Sequence, residues 1–434
     1  EVVVPITVVG PIFWGIGSAT LCETQLGPWT FGSGSSPQAF RPLEVSYPSS
    51  PRLLSASALA ADATGRRMSL WIDDRTPLAS SPDPDVFFRY HNGTDWTAAA
   101  PIIGTANTNT EWETDPAAVF MKDGAALACW TANKGEKSLN NLNNILAAQD
   151  IACSYWNGTI WGSPVKVIDD GEADGTVSLA YFAENKALAV WVHNADPDKR
   201  AMQRTAWQLR YSIFNPTTGE GAAAFTGPAV VTGTDTGKAD QMPAVAPDGN
   251  GNAMLVWARD DDGQFDTELA TVTKGTNVDV KNLDSHIMWS KLGETGWTAP
   301  AALATGGEAT RLSPSLAPAP GGSFLAVWEE KAPGKMRSIK YAVLSGGAWG
   351  TPGNVAESSQ FMEDPKAVVD AAGKATVIWR GYAAGGKGAL FSATGNMAAQ
   401  ITWSEPQQIT HDDTIQWQPT AVVGADNKVI TSWN

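Results

Sequence analysis

The sequence predicts an all-β fold, a seven-bladed β-propeller, because a proline and a tryptophan recur fourteen residues apart along the whole chain. Five copies carry both residues: Pro116 with Trp130, Pro243 with Trp257, Pro314 with Trp328, Pro365 with Trp379, and Pro419 with Trp433. Two copies replace the proline, with Val177 before Trp191 and Ser57 before Trp71. The seven tryptophans are 51 to 71 residues apart, which is typical of propeller blades lengthened by loops.

Each repeat unit predicts four short antiparallel strands. The first begins near the proline, and a turn rich in Gly, Asn or Asp, as at 247–250, leads into the second. The second strand ends on the tryptophan and is apolar on both faces, as at 188–191, which is expected where a blade lies between two others. The third strand leads through a Gly-containing turn to a second tryptophan, Trp96 or Trp161, where the fourth strand starts.

The seventh repeat unit carries only two strands, which end at Trp433. We expect residues 1–49 to supply the outer strands of this closing blade and a lead-in loop, because 13–22 and 27–31 are rich in aromatic residues and glycine. Closure by strands from both termini would remove exposed sheet edges. The sequence therefore predicts one propeller domain over residues 1–434, with Trp191, Trp257 and Trp328 buried between blades.

Charge and hydropathy exclude two classes of partner. The net charge is −15, from 45 acidic and 30 basic residues. An acidic surface disfavours nucleic acid, since phosphates are bound by Lys and Arg. No window reaches the roughly 18 apolar residues of a membrane span. We therefore expect no nucleic-acid partner and no membrane insertion.

The chain has three cysteines, Cys22, Cys129 and Cys153. Cys129 and Cys153 lie on neighbouring predicted strands and could pair, but buried free thiols are the favoured interpretation. An odd count leaves at least one thiol unpaired within the chain.

A candidate ligand site precedes the repeat prolines, where polar and aromatic residues cluster. In a propeller, the loops that enter the first strands share one face with the loops that follow the second strands, including the long ones at 131–149, 192–205 and 258–285. Aromatic rings stack on sugar faces and carboxylates accept hydroxyl hydrogen bonds, so this mouth suits a carbohydrate. Alternatively, an aspartate before proline simply caps a turn. The predicted ligand-binding residues are Trp112, Glu113, Asp115, Arg311, Glu363, Asp364, Trp417 and Gln418.

The densest acidic segment, 259–266, contains a candidate calcium site. Asp260, Asp262 and Asp266 could supply oxygen ligands, although the segment lacks a complete calcium-loop pattern and a solvated acidic loop is the alternative. The four histidines show no zinc-site spacing, and neither a nucleophile-elbow motif nor a phosphate loop occurs. Beyond this calcium, we expect no cofactor to be required.

The whole chain resembles bacterial β-propellers of the sialidase-like and lectin-like kind. The resemblance is carried by the second strands at 128–130, 189–191 and 326–328, and by the turns that lead from Asn92-Gly93 to Trp96 and from Asn157-Gly158 to Trp161. It implies the fold. It does not imply an activity, since the Ser-x-Asp-x-Gly-x-Thr-Trp boxes of sialidases do not occur in this sequence.

Three functions remain open from the sequence. The leading hypothesis is a secreted or cell-surface propeller, extracellular or periplasmic, that binds a glycan or a surface protein without catalysis. The first alternative is a glycoside hydrolase or polysaccharide lyase, in which Glu113 or Asp115 would meet Glu363 or Asp364 across the ring as a carboxylate pair. The second alternative is a structural module of a surface assembly.

Overall fold

The fold is an all-β propeller, as the sequence predicts. A computed structural model describes residues 53–74, 84–102, 111–133, 148–194, 207–235, 237–260, 285–307, 309–332, 335–359, 361–382, 388–410 and 418–433. These residues form seven antiparallel sheets and short 3-10 turns at Lys122–Gly124, Gly221–Ala224 and Pro320–Gly322. None of the described residues form a helix long and apolar enough to cross a membrane.

The first three blades each contain four strands that follow one another in the sheet in sequence order. Blade 1 consists of β1 Leu53–Ala61, β2 Arg67–Asp74, β3 Pro84–His91 and β4 Ala100–Pro101. Blade 2 consists of β5 Trp112–Phe120, β6 Ala126–Asn133, β7 Gln149–Trp156 and β8 Val165–Lys166. Blade 3 consists of β9 Ala173–Ala183, β10 Lys186–Asn194, β11 Trp207–Phe214 and β12 Ala229–Val230.

The next three blades repeat this order, and two of them carry a fifth short strand. Blade 4 consists of β13 Ala239–Pro247, β14 Ala253–Asp260, β15 Ser285–Gly293, β16 Gly296–Trp297 and β17 Ala301–Ala304. Blade 5 consists of β18 Thr310–Ala319, β19 Ser323–Lys331, β20 Arg337–Ser345, β21 Ala348–Trp349 and β22 Gly353–Ser358. Blade 6 consists of β23 Met362–Val369, β24 Lys374–Tyr382, β25 Gly388–Asn396 and β26 Gln407–Gln408.

The expectation of seven four-stranded blades is corrected to six. The seventh sheet pairs only β27 Thr420–Val423 with β28 Val429–Ser432 in the described part of the chain. It lies between blades 6 and 1, because β27 contacts both β23 and β1. The seventh repeat unit supplies just these two strands from its own sequence. Residues 1–49, the expected source of the others, fall outside the described residues.

The repeat tryptophans form the core between blades. Trp191, Trp257 and Trp328 are wholly buried, as predicted, and Trp130 and Trp379 are nearly so. Those of the first and last repeats differ, since Trp71 is partly buried and Trp433 is 39% exposed. The repeat tryptophans are therefore buried in blades 2 to 6.

Two asparagine side chains close turns that the sequence predicts. Asn92 and Asn157 accept hydrogen bonds from the backbone N–H groups two and three residues ahead, which closes the predicted turns before Trp96 and Trp161.

Cys129 and Cys153 lie directly opposite each other on β6 and β7 and form a disulfide bond. The favoured interpretation of two free thiols is therefore wrong at this pair.

Candidate functional site

The residue before the repeat position has a distinctive backbone in blades 2 to 6 and beside the seventh sheet. The six residues there have a left-handed backbone with φ between 43° and 55°: Asp115, Thr176, Met242, Ser313, Asp364 and Gln418. In blades 2 to 6 this residue forms a bulge, because the first strand shifts its register against the second strand there. A left-handed non-glycine residue costs roughly 1–2 kcal/mol, so the packing of the ring must enforce this conformation in blade after blade.

The bulge residues of neighbouring blades contact one another. In blade 5 the backbone N–H of Ser313 donates to Met242 Sδ of blade 4, at 3.2 Å. The hydroxyl of Ser313 donates to Asp364 Oδ1 of blade 6, also at 3.2 Å. Polar groups of three successive blades are thus connected at one end of the first strands, which is the end predicted to form the mouth.

A cross-strand pair of ionisable residues recurs at this end of the blades. Its members lie three residues before the repeat proline position and two after the repeat tryptophan, and are Asp174 with His193, Asp240 with Arg259, and Arg311 with Glu330. The shortest contacts of the three pairs are 2.9, 2.7 and 2.8 Å. The recurrence in three blades indicates that these pairs belong to the frame of the propeller.

Blade 4 shows such a pair fully satisfied. Arg259 donates from Nε to Asp240 Oδ1 at 2.7 Å and from Nη2 to Oδ2 at 2.9 Å. Trp257 Nε1 donates to the same carboxylate, and Arg259 Nη2 also reaches the carbonyl oxygen of Gly233. All of these side chains are buried. A bidentate, hydrogen-bonded pair of this kind locks the two strands together.

Three carboxylates lie close together between blades 5 and 6, at positions other than those of the recurring pairs. Glu329 directly follows the tryptophan of blade 5, and Glu363 and Asp364 directly precede the proline of blade 6. Ser313 Oγ lies 3.3 Å from Glu329 Oε1 and 3.2 Å from Asp364 Oδ1. Those two oxygens are therefore at most 6.5 Å apart. We call Ser313, Glu329, Glu363 and Asp364 the carboxylate cluster.

Burial shifts the proton affinities of this cluster. It is the largest cause that raises the pKa of Glu329 well above its usual value, and the charges of Asp364 and Glu363 add to it. Burial and Asp364 also raise the pKa of Glu363 to about 7, against the opposing effect of Arg380. In blade 2, burial raises the pKa of Asp115 to about 6. Carboxyl groups that hold protons near neutral pH can donate them.

Arginine and aromatic side chains border the cluster. Arg380 pairs with Glu363 through Nη1, and its Cζ lies 5.6 Å from the centre of the Phe361 ring. Arg337 approaches the same ring more closely, at 4.6 Å. The ring of Tyr382, which is 40% exposed, lies 5.7 Å from that of Phe361. The cluster is therefore flanked by two guanidinium groups and by a partly open aromatic surface.

The structure separates the predicted ligand residues into groups. Glu363 and Asp364 belong to the carboxylate cluster. Asp364 lies inside β23 and accepts a hydrogen bond from Ser313, so it does not serve merely as a turn cap. Arg311 is committed to structure, since it pairs with Glu330 and donates to the carbonyl oxygens of Ser285 and Gly306.

The remaining predicted residues lie in other blades. Trp112 and Glu113 begin β5 in blade 2, where Glu113 is buried and Trp112 partly buried, and Asp115 occupies the bulge of that strand. Gln418 is exposed beside the seventh sheet, and Trp417 is outside the described residues. The hydrogen bond from Ser313 to Asp364 joins blade 5 to blade 6, whereas the ion pair of Glu363 with Arg380 lies within blade 6. A single mouth spanning all eight residues stays a prediction.

The calcium prediction is likewise untested. Asp260 is buried at the end of β14, opposite Ser285. Asp262 and Asp266 lie outside the described residues, as does most of each long loop predicted to form a wall on one side of the mouth.

Sequence reasoning overlooked Glu329, Arg337 and Arg380. A usable signal existed for two of them, because Glu329 and Arg380 each occupy the position directly after a repeat tryptophan. A charged residue at the end of an apolar strand that packs on both faces is unexpected. Arg337 has no such marker, since it begins the third strand of its blade.

Comparison with known proteins yields only distant similarity. No protein-family model matches the sequence, and no curated protein matches it. Among solved structures, the chain is similar to a Hadza microbial sialidase, with 11% identity and a TM-score of 0.45 over 75% of this chain and 63% of the sialidase. An α-L-arabinofuranosidase of Fusarium graminearum gives 12% identity and a TM-score of 0.43 over 79% and 93% of the two chains.

A third similar structure is a polysaccharide lyase, an ulvan lyase, with 11% identity and a TM-score of 0.48 over 78% of this chain and 80% of the lyase. At these identities and TM-scores, the similarity carries no argument about substrate or mechanism. The function must be argued from the residues of this chain.

Proposed function

We propose that the chain is a glycan-active enzyme whose acid–base groups are the carboxylate cluster between blades 5 and 6. The observation that carries the proposal is the placement of Glu329 and Asp364 on either side of one hydroxyl group, with their oxygens at most 6.5 Å apart. Glycoside hydrolysis uses two carboxyl groups about 5 to 9.5 Å apart, one as proton donor and the other as base or nucleophile.

The proton affinities support different roles for these groups. Burial and the neighbouring carboxylates favour the protonated form of Glu329, which makes it the proton donor of the proposal. Asp364 is less buried and takes the second role, as base or nucleophile. Glu363 titrates at about 7 and adjusts the charge beside both.

The surroundings suit a sugar. Phe361 and Tyr382 offer ring faces of the kind that pack on pyranose and furanose rings, and Arg337 offers hydrogen-bond donors beside them. Substrate positioning is therefore assigned to Phe361, Tyr382 and Arg337, and proton transfer to the carboxylate cluster.

The test is a panel of neutral and acidic polysaccharides, assayed for new reducing ends and for the ultraviolet absorbance of unsaturated uronates. Glu329→Gln and Asp364→Asn are expected to lower turnover at least about a hundredfold, the usual size of an acid–base contribution. Glu405→Gln, an exposed carboxylate of the same blade, is the matched control and should act like the parent. If the parent shows no turnover on any substrate that it binds, the catalytic proposal is wrong.

Glycan binding without catalysis is the second candidate. It is favoured because these charged residues already interact with one another: Arg380 pairs with Glu363, and Ser313 Oγ lies within hydrogen-bond distance of oxygens of both Glu329 and Asp364. Such a site would bind a sugar only through the aromatic rings of Phe361 and Tyr382. A glycan array followed by turnover assays on each hit separates the two candidates.

We further propose an extracellular or periplasmic location and a completed seventh blade. The Cys129–Cys153 disulfide supports the location, because such bonds persist in oxidising compartments.

Strands from residues 1–49 would pair with the sheet of β27 and β28 and remove an edge prone to aggregation. Deletion of residues 1–49 should then lower both solubility and melting temperature. Unchanged behaviour would exclude the completed blade.

A further inference from the structure

A second cluster of ionisable groups lies in blade 3, where β9 begins and β10 ends. It contains Asp170, Glu172, Asp174, His193 and Arg210. His193 and Asp174 are wholly buried. One donor atom from each of Asp170, Asp174 and His193 lies within 4.8 Å of the others. Glu172 Oε2 approaches His193 Nε2 to 2.7 Å. The cluster therefore collects three carboxylates around one imidazole.

The hydrogen bonds of Asp174 fix the imidazole. Asp174 Oδ1 accepts from Trp191 Nε1 at 2.5 Å and lies 2.9 Å from His193 Nδ1. A neutral imidazole has a single N–H, so donation from Nδ1 leaves a lone pair on Nε2. That lone pair then faces a carboxylate oxygen of Glu172 at 2.7 Å, which is repulsive unless the two atoms share a proton or a metal ion.

Asp174 has one oxygen unused. Its Oδ2 is buried and makes no hydrogen bond to the described residues. At the equivalent position of blade 4, Arg259 fills both oxygens of Asp240. His193 stands where that arginine stands and can reach only one oxygen. The described part of blade 3 thus provides no arginine that pairs with both oxygens of this aspartate, as Arg259 does in blade 4.

The charges define the missing cation. Arg210 lies 3.1 Å from Asp170 Oδ2 and 4.0 Å from Glu172 Oε2, so it offsets one of the three negative charges. With a neutral imidazole and all three carboxylates ionised, the cluster keeps a net charge of −2, and burial, which raises the pKa of Asp174, adds to the cost of leaving that charge unneutralised. A divalent ion would neutralise it. The mixture of one nitrogen and several carboxylate oxygens suits Zn²⁺ and related transition ions, whereas calcium takes oxygen ligands.

We propose that Asp170, Asp174 and His193, assisted by Glu172, bind a divalent transition-metal ion of the zinc class in blade 3. The site differs in blade and in residues from the carboxylate cluster and does not depend on any glycan activity. Its role is structural, since the ion would join the start of β9 to the end of β10, as the arginine does in blade 4.

The experiment uses the full chain after treatment with a chelator. Zn²⁺ is added, and bound metal is measured by calorimetry and by elemental analysis after gel filtration. We expect one Zn²⁺ per chain and a higher melting temperature with zinc. His193→Gln and Asp170→Asn should each weaken zinc binding by about tenfold or more, the usual effect of losing a metal-site group. Asp170 is exposed, so its variant keeps the test valid should His193→Gln fail to fold.

Two matched controls remove the same residue types elsewhere. His91→Gln changes a histidine that accepts a turn N–H in blade 1, and Asp95→Asn changes an exposed aspartate of the same turn. Both should bind zinc like the parent. The proposal is overturned if the parent takes up no zinc, if His193→Gln and Asp170→Asn bind it unchanged, or if Ca²⁺ binds the cluster as tightly as Zn²⁺.

Discussion

Blades 4 and 6 each place a carboxylate opposite an arginine on the first two strands, but with different consequences. In blade 4 both oxygens of Asp240 accept hydrogen bonds from Arg259. In blade 6 Arg380 pairs with one oxygen of Glu363, while Oε2 makes no hydrogen bond to the described residues and the pKa rises to about 7. The Asp240–Arg259 pair of blade 4 holds its two strands together, and we call such a pair locked. The Glu363–Arg380 pair of blade 6 leaves Glu363 able to exchange a proton near neutral pH.

A shift of one residue accounts for the difference. The locked pairs lie three residues before the repeat proline position and two after the tryptophan, whereas Glu363 lies two before Pro365 and Arg380 one after Trp379. In a strand, a one-residue shift turns the side chain to the other face of the sheet. The propeller thus uses one face of its strand ends for locks and the other for the carboxylate cluster.

The largest effect on stability is expected from replacing Trp257, the buried tryptophan that donates to Asp240 in the locked pair of blade 4. Trp257→Ala should lower the free energy of unfolding by about 3 to 5 kcal/mol, because it opens a cavity and removes a donor to Asp240. Trp433→Ala, at an exposed repeat tryptophan, is the control and should cost about 1 kcal/mol or less. Urea unfolding measures both. Equal melting of the parent and Trp257→Ala would show that this tryptophan is not core.

The next test removes the arginine from each pair. Arg259→Met should cost about 3 to 5 kcal/mol, since it leaves Asp240 charged and buried without its main partner. Arg380→Met should cost less, and its cost should shrink at lower pH, because Glu363 can accept a proton instead. Denaturant unfolding at neutral and mildly acidic pH separates the two. If Arg259→Met and Arg380→Met lose the same free energy of unfolding at both pH values, the arginine–carboxylate pairs of blades 4 and 6 have the same role.

The sequence predicts the propeller that carries these two pairs but not the difference between them. The proline–tryptophan spacing was sufficient for the propeller, the second strands and the buried Trp191, Trp257 and Trp328. It did not reveal the bulge before each proline, because a left-handed Ser313 or Met242 is enforced by neighbouring blades and leaves no local signal. Without the bulge, the faces on which Glu329 and Glu363 lie could not be assigned.

Two further differences have physical causes. The Cys129–Cys153 bond depends on strand register, which places the two residues directly opposite each other and which the sequence did not fix. Seven blades were predicted on the expectation that residues 1–49 complete the two-strand unit that ends at Trp433. The described residues contain only β27 and β28 of that unit, because a repeat pattern in one part of the chain does not report which distant segment pairs with it.

A smaller effect is expected in the pH dependence of stability. The folded pKa of Glu363, about 7, lies above its usual value of 4.5, so the folded state retains a proton that the unfolded chain releases. The contribution of Glu363 to stability is therefore full below pH 4.5 and is lost as the pH rises to about 7. Glu363→Gln should flatten this part of the profile, whereas Glu405→Gln should not. A profile of Glu363→Gln parallel to the parent's would show that Glu363 titrates normally.

The smallest effect on stability, and the sharpest on binding, is expected at the aromatic residues outside the repeat frame. Trp112 is only partly buried, and Trp417, like Trp112, falls outside the proline–tryptophan pattern. Their joint replacement by Ala should change the free energy of unfolding by about 1 kcal/mol and abolish glycan binding, if the ligand spans the mouth from blade 2 to the seventh sheet. Tyr382→Ala provides the contrast, because Tyr382 borders the carboxylate cluster itself. Normal binding by the double variant, together with weakened binding by Tyr382→Ala, would confine the site to blades 5 and 6 and refute the wider mouth.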